Sequence, residues 1–238
     1  MAELDTSLTF NQTVNGMLEF VEVAIHSILY VRQIYPADLF VRRKKYDTPV
    51  FQSRHPALNE YISGAVKAVG EELIFGNVDK VVVVIKDQEQ VPLERYIFSL
   101  RSMLHVEAFD KDTSVEGAMS AAKLGQYFRS FLIKLNMVES QLGMLELHDN
   151  ASFAIVVELK DKTPTEIHEK EPPPWVPADI QHTTSGASEN AELHLLRAVD
   201  TGIINLSLAV QESEEKIRRM DNKGSKAIDK GKGKEKAS

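Results

Sequence analysis

The side chains best suited to catalysis or metal binding are few and scattered along the chain. His168-Glu169 has half of a zinc-binding pattern, without the second histidine that a helical zinc site needs. Asp110-Lys111-Asp112 resembles an acidic metal pair but directly precedes a predicted helix start, where acids are favoured. His26 could act as a base, but no second titratable group accompanies it. These three features are therefore interpreted as a solvated loop, a helix start and a structural histidine.

The motifs of the common enzyme classes are also missing. The sequence has no glycine-rich phosphate loop, no GxSxG nucleophile elbow and no HExxH pair. It has no cysteine, which excludes disulfides, thiolate metal sites and cysteine nucleophiles. The sequence therefore predicts a protein that is not an enzyme and that uses no cofactor or metal.

The net charge of −7 argues against a broad basic face that grips nucleic acid, and we expect no strong direct DNA binding. Two basic segments stand out against this background. Arg42-Arg43-Lys44-Lys45 is either a nuclear-localisation or DNA-contact patch or a solvated loop, and the sequence leaves both interpretations open. The lysine- and glycine-rich tail, residues 221–238, cannot bury enough apolar surface to fold.

Apolar periodicity predicts three helices that would position these groups. The first spans Val14 to Ile34, is buried on most of its circumference, and ends before Pro36. Charged residues interrupt this stretch, so we expect neither a secretory signal nor a membrane span. The second helix runs from Pro56 to Ala68. The third runs to Leu142 and is introduced by a capping box at Thr113-Ser114-Val115-Glu116.

Runs of β-branched and aromatic residues predict an antiparallel sheet, so the fold class is α+β. Lys80–Ile85 and Leu93–Leu100 form a hairpin, and Phe153–Leu159 is a further strand. Leu193–Val199 and Ile203–Val210 form a second hairpin, which must be stabilised by packing on the rest.

A charged, proline-rich segment from Lys160 to Pro174 separates the first part from the second hairpin and is predicted to be a mobile linker. It ends in Pro172-Pro173-Pro174-Trp175. Three prolines stiffen the chain into an extended form beside a large aromatic side chain, as in a latch or hinge. A plain linker followed by an aromatic residue that caps the core fits the pattern equally well.

A longer string of residues carries a family resemblance. It comprises the run from Phe20 to Pro36, then Phe40, Arg43-Lys44-Lys45-Tyr46, Pro49-Val50, His55 to Ile62, Val78 to Ile85 and Arg129 to Lys134. This string resembles the HORMA-domain family, and within it the non-catalytic subunits of translesion DNA polymerase zeta. The resemblance covers roughly residues 8 to 215 and is weakest after Leu159.

The resemblance implies an α+β fold in which three helices pack on an antiparallel sheet and a C-terminal safety-belt segment wraps over a bound peptide. It implies a HORMA core at residues 1–159, a safety-belt region at 160–220 and a disordered tail at 221–238. The implied function is that of an adaptor in translesion DNA synthesis. Such a chain would hold a peptide of the polymerase catalytic subunit by strand addition to a sheet edge.

The resemblance also implies three sets of contact residues. The peptide-binding set is Tyr61, Trp175 and Pro177. The set for HORMA–HORMA homodimerisation is Arg129, Gln33, Arg42, Lys134, Met137, Glu139 and Ser140. The set for the C-terminal domain of the scaffolding deoxycytidyl transferase is Leu193, Ser207 and Ala209. The family has an aliphatic residue in place of Pro177 and an acid in place of Gln33, and the third set lacks the family's aromatic and amide side chains.

Further partners and alternatives follow from the same resemblance. An AAA+ remodelling ATPase could reopen the belt, and the expected location is the nucleus, with a cytoplasmic pool. The alternative function within the family is a cell-cycle checkpoint regulator that binds activators of the anaphase-promoting complex. A directly DNA-binding protein that uses Arg42–Lys45 and the tail would be of a different class.

Overall fold

The computed structural model of the chain describes residues 6–103, 110–143, 145, 151–160, 175–178 and 191–220. Some of the predictions concern residues outside this set. They are the predictions for His168-Glu169, for the proline run at 172–174, for most of the linker and for the tail at 221–238.

Helix α1 (Phe10–Val31) is the central element of the core. The helix begins with a capping box. The Gln12 backbone N–H donates to the Thr9 hydroxyl, and the Thr9 backbone N–H donates to the Gln12 side-chain oxygen. The helix therefore begins four residues before the predicted start at Val14. By length and composition this helix could cross a membrane, but 56% of its apolar 18-residue segment is buried inside the protein.

Helix α2 (Pro56–Ile74) begins at the predicted proline and runs one and a half turns past Ala68. The His55 ring caps it by accepting from the Leu58 amide at 3.3 Å. The extension buries Val69 and Leu73 against the core, so packing sets the end of this helix.

The predicted capping box at Thr113–Glu116 is wrong. Helix α3 (Ala121–Asn136) starts seven residues later, with Ser120 as the N-cap in place of Thr113, and the Ser120 hydroxyl accepts from the Lys123 backbone amide. Ser114 instead forms an isolated bridge to Thr9 and donates its hydroxyl to the Ser7 carbonyl. The predicted single helix to Leu142 is also interrupted at Met137, after which the short helix α4 (Val138–Leu142) follows.

The basic run predicted as a loop is a strand. Residues Phe40–Lys45 form β1, which pairs antiparallel with β2 (Thr48–Ser53) in a separate two-stranded sheet. Phe40 and Val50 are buried, whereas Arg42, Arg43 and Lys44 are exposed. Such a strand has few apolar positions, so its cations made it resemble a loop.

The main sheet has five antiparallel strands in the order β5-β3-β4-β7-β6. Their bounds are β3 Val78–Lys86, β4 Pro92–Ser102, β5 Ser152–Leu159, β6 Glu192–Asp200 and β7 Ile204–Glu212. Both predicted hairpins and the predicted strand at 153–159 are confirmed. Residues 214–220 form a further helical segment, here called the C-terminal helix, which was not predicted.

Aromatic packing joins the helices to the sheet. Phe20 of α1 stacks on Phe128 of α3 with ring centroids 4.5 Å apart. It meets Phe131 edge-on at 5.4 Å and Phe98 of β4 at 6.3 Å. These rings are almost completely buried, so the core fixes the positions of the sheet and of its edges.

Candidate functional site

Strand β5 forms one edge of the five-stranded sheet within the described part of the chain. It pairs with β3 on one side only, from Ser152 opposite Lys86 to Leu159 opposite Val78. Phe153, Val156 and Val157 are only partly buried although they are apolar. An apolar edge strand of eight residues is a template on which another extended chain can pair.

Tyr61 of α2 reaches this edge. Its hydroxyl accepts a hydrogen bond from the Ile155 amide at 3.3 Å, and 46% of the residue is exposed. Because backbone groups alternate along a strand, the amides of Phe153 and Val157 face the same side as that of Ile155, away from β3. Tyr61 therefore marks the side of β5 on which an added strand would pair.

Two further aromatic residues surround Tyr61. Phe153 meets the Tyr61 ring edge-on at 5.6 Å, and Tyr35 meets Phe153 at 6.3 Å. Burial, and secondarily the neighbouring Tyr61, raise the pKa of Tyr35. Tyr35 and Phe153 were not predicted as site residues. Their position next to Pro36 and at the head of a strand was the available signal, but only the fold brings them together.

Trp175 packs against the core and is partly buried, as expected for an aromatic residue that follows the linker. Its indole N–H is buried and makes no hydrogen bond to the part of the chain that the structure describes. A buried indole donor normally has an acceptor, so this N–H is suited to a carbonyl of a bound chain. Pro177 is exposed.

The residues predicted for homodimerisation lie on three parts of the fold: α3 and α4 with Met137 between them, the end of α1 with Gln33, and strand β1 with Arg42. Arg129, Lys134 and Met137 are exposed, as are Gln33, Arg42 and Ser140, and Glu139 is partly buried. Gln33 and Glu139 line the same groove of about 790 Å³, which Tyr35 also borders. Arg129 lies near Asp47 of the β1–β2 turn and helps to lower the pKa of that carboxyl, although the main cause is the hydrogen bond from Lys44.

The residues predicted to bind the scaffolding polymerase lie on β6 and β7, at the edge of the sheet opposite to β5. Leu193 is the second residue of the edge strand β6 and is 64% exposed, and Leu195, two residues on, is 67% exposed. Ala209 of β7 pairs in register with Leu195, and Ser207 pairs with Ala198. Both exposed leucines lie on β6, whereas Ser207 is partly buried and Ala209 is buried on β7; Leu195 was not predicted.

A cluster of buried charges lies where β4, β7, α1 and the C-terminal helix meet. The Glu94 carboxylate accepts two bonds from Arg32, at 2.7 and 3.0 Å, and one from the Lys216 ammonium at 2.6 Å. Tyr96 donates its hydroxyl to the same carboxylate at 3.0 Å. Lys216 also binds Glu212. Burial tends to lower the pKa of Arg32, but Glu94 outweighs burial and raises that pKa overall.

Among the described residues, one group has the chemistry of metal ligands: Glu192, His194 and Glu212. His194 Nε2 lies 2.9 Å from one Glu212 oxygen, while Lys216 binds the other oxygen of that carboxylate. The ammonium places a positive charge on the carboxylate that a cation would need, so this group is an extension of the charge cluster.

His26 is structural, as predicted. It is buried between α1 and β2, where its Nδ1 accepts from the Ser53 amide at 3.5 Å. Burial lowers the pKa of the ring to about 4, so the imidazole is neutral near pH 7.

The geometry agrees with comparisons against known proteins. The family model described as "HORMA domain" matches residues 14–204. The chain belongs to the HORMA-domain family. It is 33% identical over 215 residues to the mitotic spindle assembly checkpoint protein MAD2B of Gallus gallus, with 88% of this chain and 95% of that protein covered. It is 38% identical over 164 residues to the DNA polymerase zeta processivity subunit of Schizosaccharomyces pombe, with 68% and 76% covered.

Solved structures support the HORMA fold. A chain of the mitotic checkpoint complex aligns with a TM-score of 0.67 at 21% identity and covers 84% of this chain and 98% of its own length. Caenorhabditis elegans HTP-1 bound to a HIM-3 closure motif aligns at 0.66 and 11% identity, covering 87% and 92%. The α+β HORMA fold predicted from the sequence is confirmed.

Proposed function

We propose that this HORMA chain is a non-catalytic adaptor subunit of DNA polymerase zeta in translesion DNA synthesis. It captures an extended peptide of the polymerase catalytic subunit on the outer edge of β5. The observation that best supports peptide capture is strand β5, which is apolar and pairs with another described strand, β3, on one side only. On its other side, the Ile155 backbone N–H donates to the Tyr61 hydroxyl. Relatives that carry the name polymerase zeta processivity subunit support the choice of partner.

The binding step follows from the edge geometry. An incoming strand pairs with the outward amides and carbonyls of Phe153, Ile155 and Val157, which supplies affinity through main-chain hydrogen bonds. Tyr61 satisfies the Ile155 amide while the edge is empty, and the peptide replaces that bond with its own carbonyl. The rings of Tyr35, Tyr61 and Phe153 then form an aromatic wall for apolar side chains of the peptide.

Retention of the peptide is assigned to the safety belt, residues 160–220. Trp175 contributes its buried indole donor, and Pro177 contributes an exposed apolar contact. A segment that closes over a bound strand slows escape, so affinity resides mainly in the dissociation rate. An AAA+ remodelling ATPase would be the agent that reopens the belt.

The remaining surfaces serve assembly. The surface that receives the C-terminal domain of the scaffolding deoxycytidyl transferase is the one with the exposed Leu193 and the partly buried Ser207, and Ala209 is buried beside them. The face with Arg129 and its predicted neighbours supports a HORMA–HORMA homodimer. This role places the protein in the nucleus, with a cytoplasmic pool before assembly.

A second function has specific support in the names of several relatives. Five vertebrate relatives at 32–33% identity are called spindle assembly checkpoint proteins. In that role the same edge would hold a segment of an activator of the anaphase-promoting complex. The two functions share the capture step and differ in the identity of the peptide.

Affinity capture of the full chain with mass spectrometry separates these roles. We expect wild type to retain the polymerase zeta catalytic subunit and the double variant Tyr61→Ala, Trp175→Ala to lose it. Loss of two aromatic anchors weakens an interface of this type by about 30-fold or more. Phe75→Ala is the matched control, because Phe75 is an exposed aromatic residue at the far end of α2.

Equal retention by wild type and the double variant would refute capture at this edge. Retention of checkpoint activators in place of the polymerase subunit, lost in the double variant, would transfer the same site to the second function.

A further inference from the structure

The β6–β7 hairpin is attached to the rest of the sheet through β4 alone. The β4–β7 ladder runs from Ser102 opposite Ile204 to Glu94 opposite Glu212. At the turn end, backbone bonds connect Met103 to Ile203 and Met119 to Thr201. At the other end, the ladder finishes in the buried charges of Glu94 and Glu212, which lie directly opposite each other.

Two facing carboxylates in a buried register pair repel each other unless a cation joins them. Lys216 of the C-terminal helix is that cation, because its ammonium binds both Glu94 and Glu212. It also donates to the Leu142 carbonyl at the end of α4, at 3.1 Å. Its side chain is only 4% exposed, so water does not share these bonds.

The C-terminal helix is built to deliver Lys216 to this position. Ser213 caps it: the Lys216 amide donates to the Ser213 hydroxyl, and the Ser213 amide donates to the Leu93 carbonyl of β4. Arg219, one turn further on, forms an ion pair with Asp87 at the β3–β4 turn. The segment 213–220 thus crosses the end of the hairpin and is bonded to the core on both sides.

The charges of the cluster balance only in this arrangement. Arg32 and Lys216 are positive, and Glu94 and Glu212 are negative. Buried ions recover their desolvation cost only when each one is paired and hydrogen-bonded. Withdrawal of the C-terminal helix would leave the two facing glutamates with the single cation Arg32, and a slip of β7 along β4 would carry Glu212 and Lys216 away from Glu94.

We propose that Lys216 is a lock that holds the β6–β7 hairpin in this register on β4, and that opening of the hairpin begins with release of Lys216 from Glu94 and Glu212. The lock gives the hairpin two discrete states: docked with all four charges paired, or released with the charges hydrated. Its consequence for peptide retention rests on the proposed safety-belt function, whereas the lock itself does not.

Hydrogen exchange of the full chain, without partner, tests the lock. In Lys216→Met, we expect the amides of β7 and of residues 213–220 to exchange about ten-fold faster or more, with a smaller increase in α1 and β3, because loss of a buried cation also lowers the overall stability. Lys216→Arg keeps the charge and should restore most of the protection. Arg218→Met is the matched control, because Arg218 lies on the same helix, is 68% exposed and, among the described residues, bonds only to Glu215.

Uniformly faster exchange across α1, β3 and β7 would show a general loss of stability and would overturn the lock. Unchanged exchange in β7 would overturn it as well. A second measurement, the rate of peptide release, tests the link to the proposed function. Normal release from a Lys216→Met chain whose hairpin has loosened would refute that link and leave the lock standing.

Discussion

Replacement of Glu94 by glutamine removes one negative charge from the centre of the buried cluster and leaves its shape almost unchanged. Arg32 and Lys216 both bind the same oxygen of Glu94 in the native protein, at 2.7 and 2.6 Å. Without the carboxylate, Arg32 loses its acidic partner in the cluster, whereas Lys216 keeps Glu212. Loss of one member of a buried ion pair costs about 3–5 kcal/mol, because the other member stays buried and unpaired.

A loss of this size lowers the melting temperature of a chain of this length by about 6–20 °C. Urea unfolding, monitored by circular dichroism, measures the loss in unfolding free energy directly. Asp47→Asn is the control, since it makes the same chemical change in a pair whose side chains are 73% and 76% exposed. We expect that variant to change stability by less than about 1 kcal/mol.

The reasoning is refuted if Glu94→Gln and Asp47→Asn have the same small effect. It also requires coupling between the partners: adding Arg32→Met to Glu94→Gln should recover part of the loss, because it removes the unpaired cation. Strictly additive losses would mean that the two side chains contribute independently.

Two further predictions concern stability. The pKa of His26 is about 4 in the folded chain and 6.5 in the unfolded chain, so its contribution to stability is complete above pH 6.5 and falls by about 3 kcal/mol as the pH drops toward 4. The difference in unfolding free energy between wild type and His26→Gln should therefore shrink between pH 7 and pH 4.5. A difference that stays constant over this range would contradict the assignment. Gly202 has φ +83°, and a Cβ there would lie 3.0 Å from the Gly117 carbonyl oxygen. Gly202→Ala should therefore destabilise the chain by about 1–3 kcal/mol. Gly64 lies in an open position on α2, so Gly64→Ala should instead stabilise the chain by about 0.5–1 kcal/mol. Equal effects of the two substitutions on the unfolding free energy would contradict the steric explanation.

The strands could be predicted from the sequence because their runs of β-branched residues are long and bounded by turn residues. The helix boundaries were less accurate because two capping patterns competed. Thr113-Ser114-Val115-Glu116 has the hydroxyl and carboxylate spacing of a capping box but lies in a turn, whereas the box at Thr9 and Gln12 uses an amide side chain and was missed. Strand β1 was missed because three of its six residues are exposed cations.

The charge cluster could not be predicted. Arg32, Glu94, Glu212 and Lys216 are separated by up to 184 positions, and each is of a residue type that is normally exposed. Tyr61 was identified through the family resemblance, whereas Tyr35 and Phe153 become neighbours only when β5 lies beside α1 and α2. The assignment of the dimerisation and scaffold-binding residues stays a prediction.

Residue-resolved amide exchange of the full chain, with and without a peptide from the polymerase zeta catalytic subunit, tests peptide capture at β5. We expect slower exchange at Phe153 and Val157, whose amides point outward from β5, when the peptide is present. Slower exchange at Leu193 and Leu195 on the opposite edge of the sheet, with β5 unchanged, would contradict capture at β5.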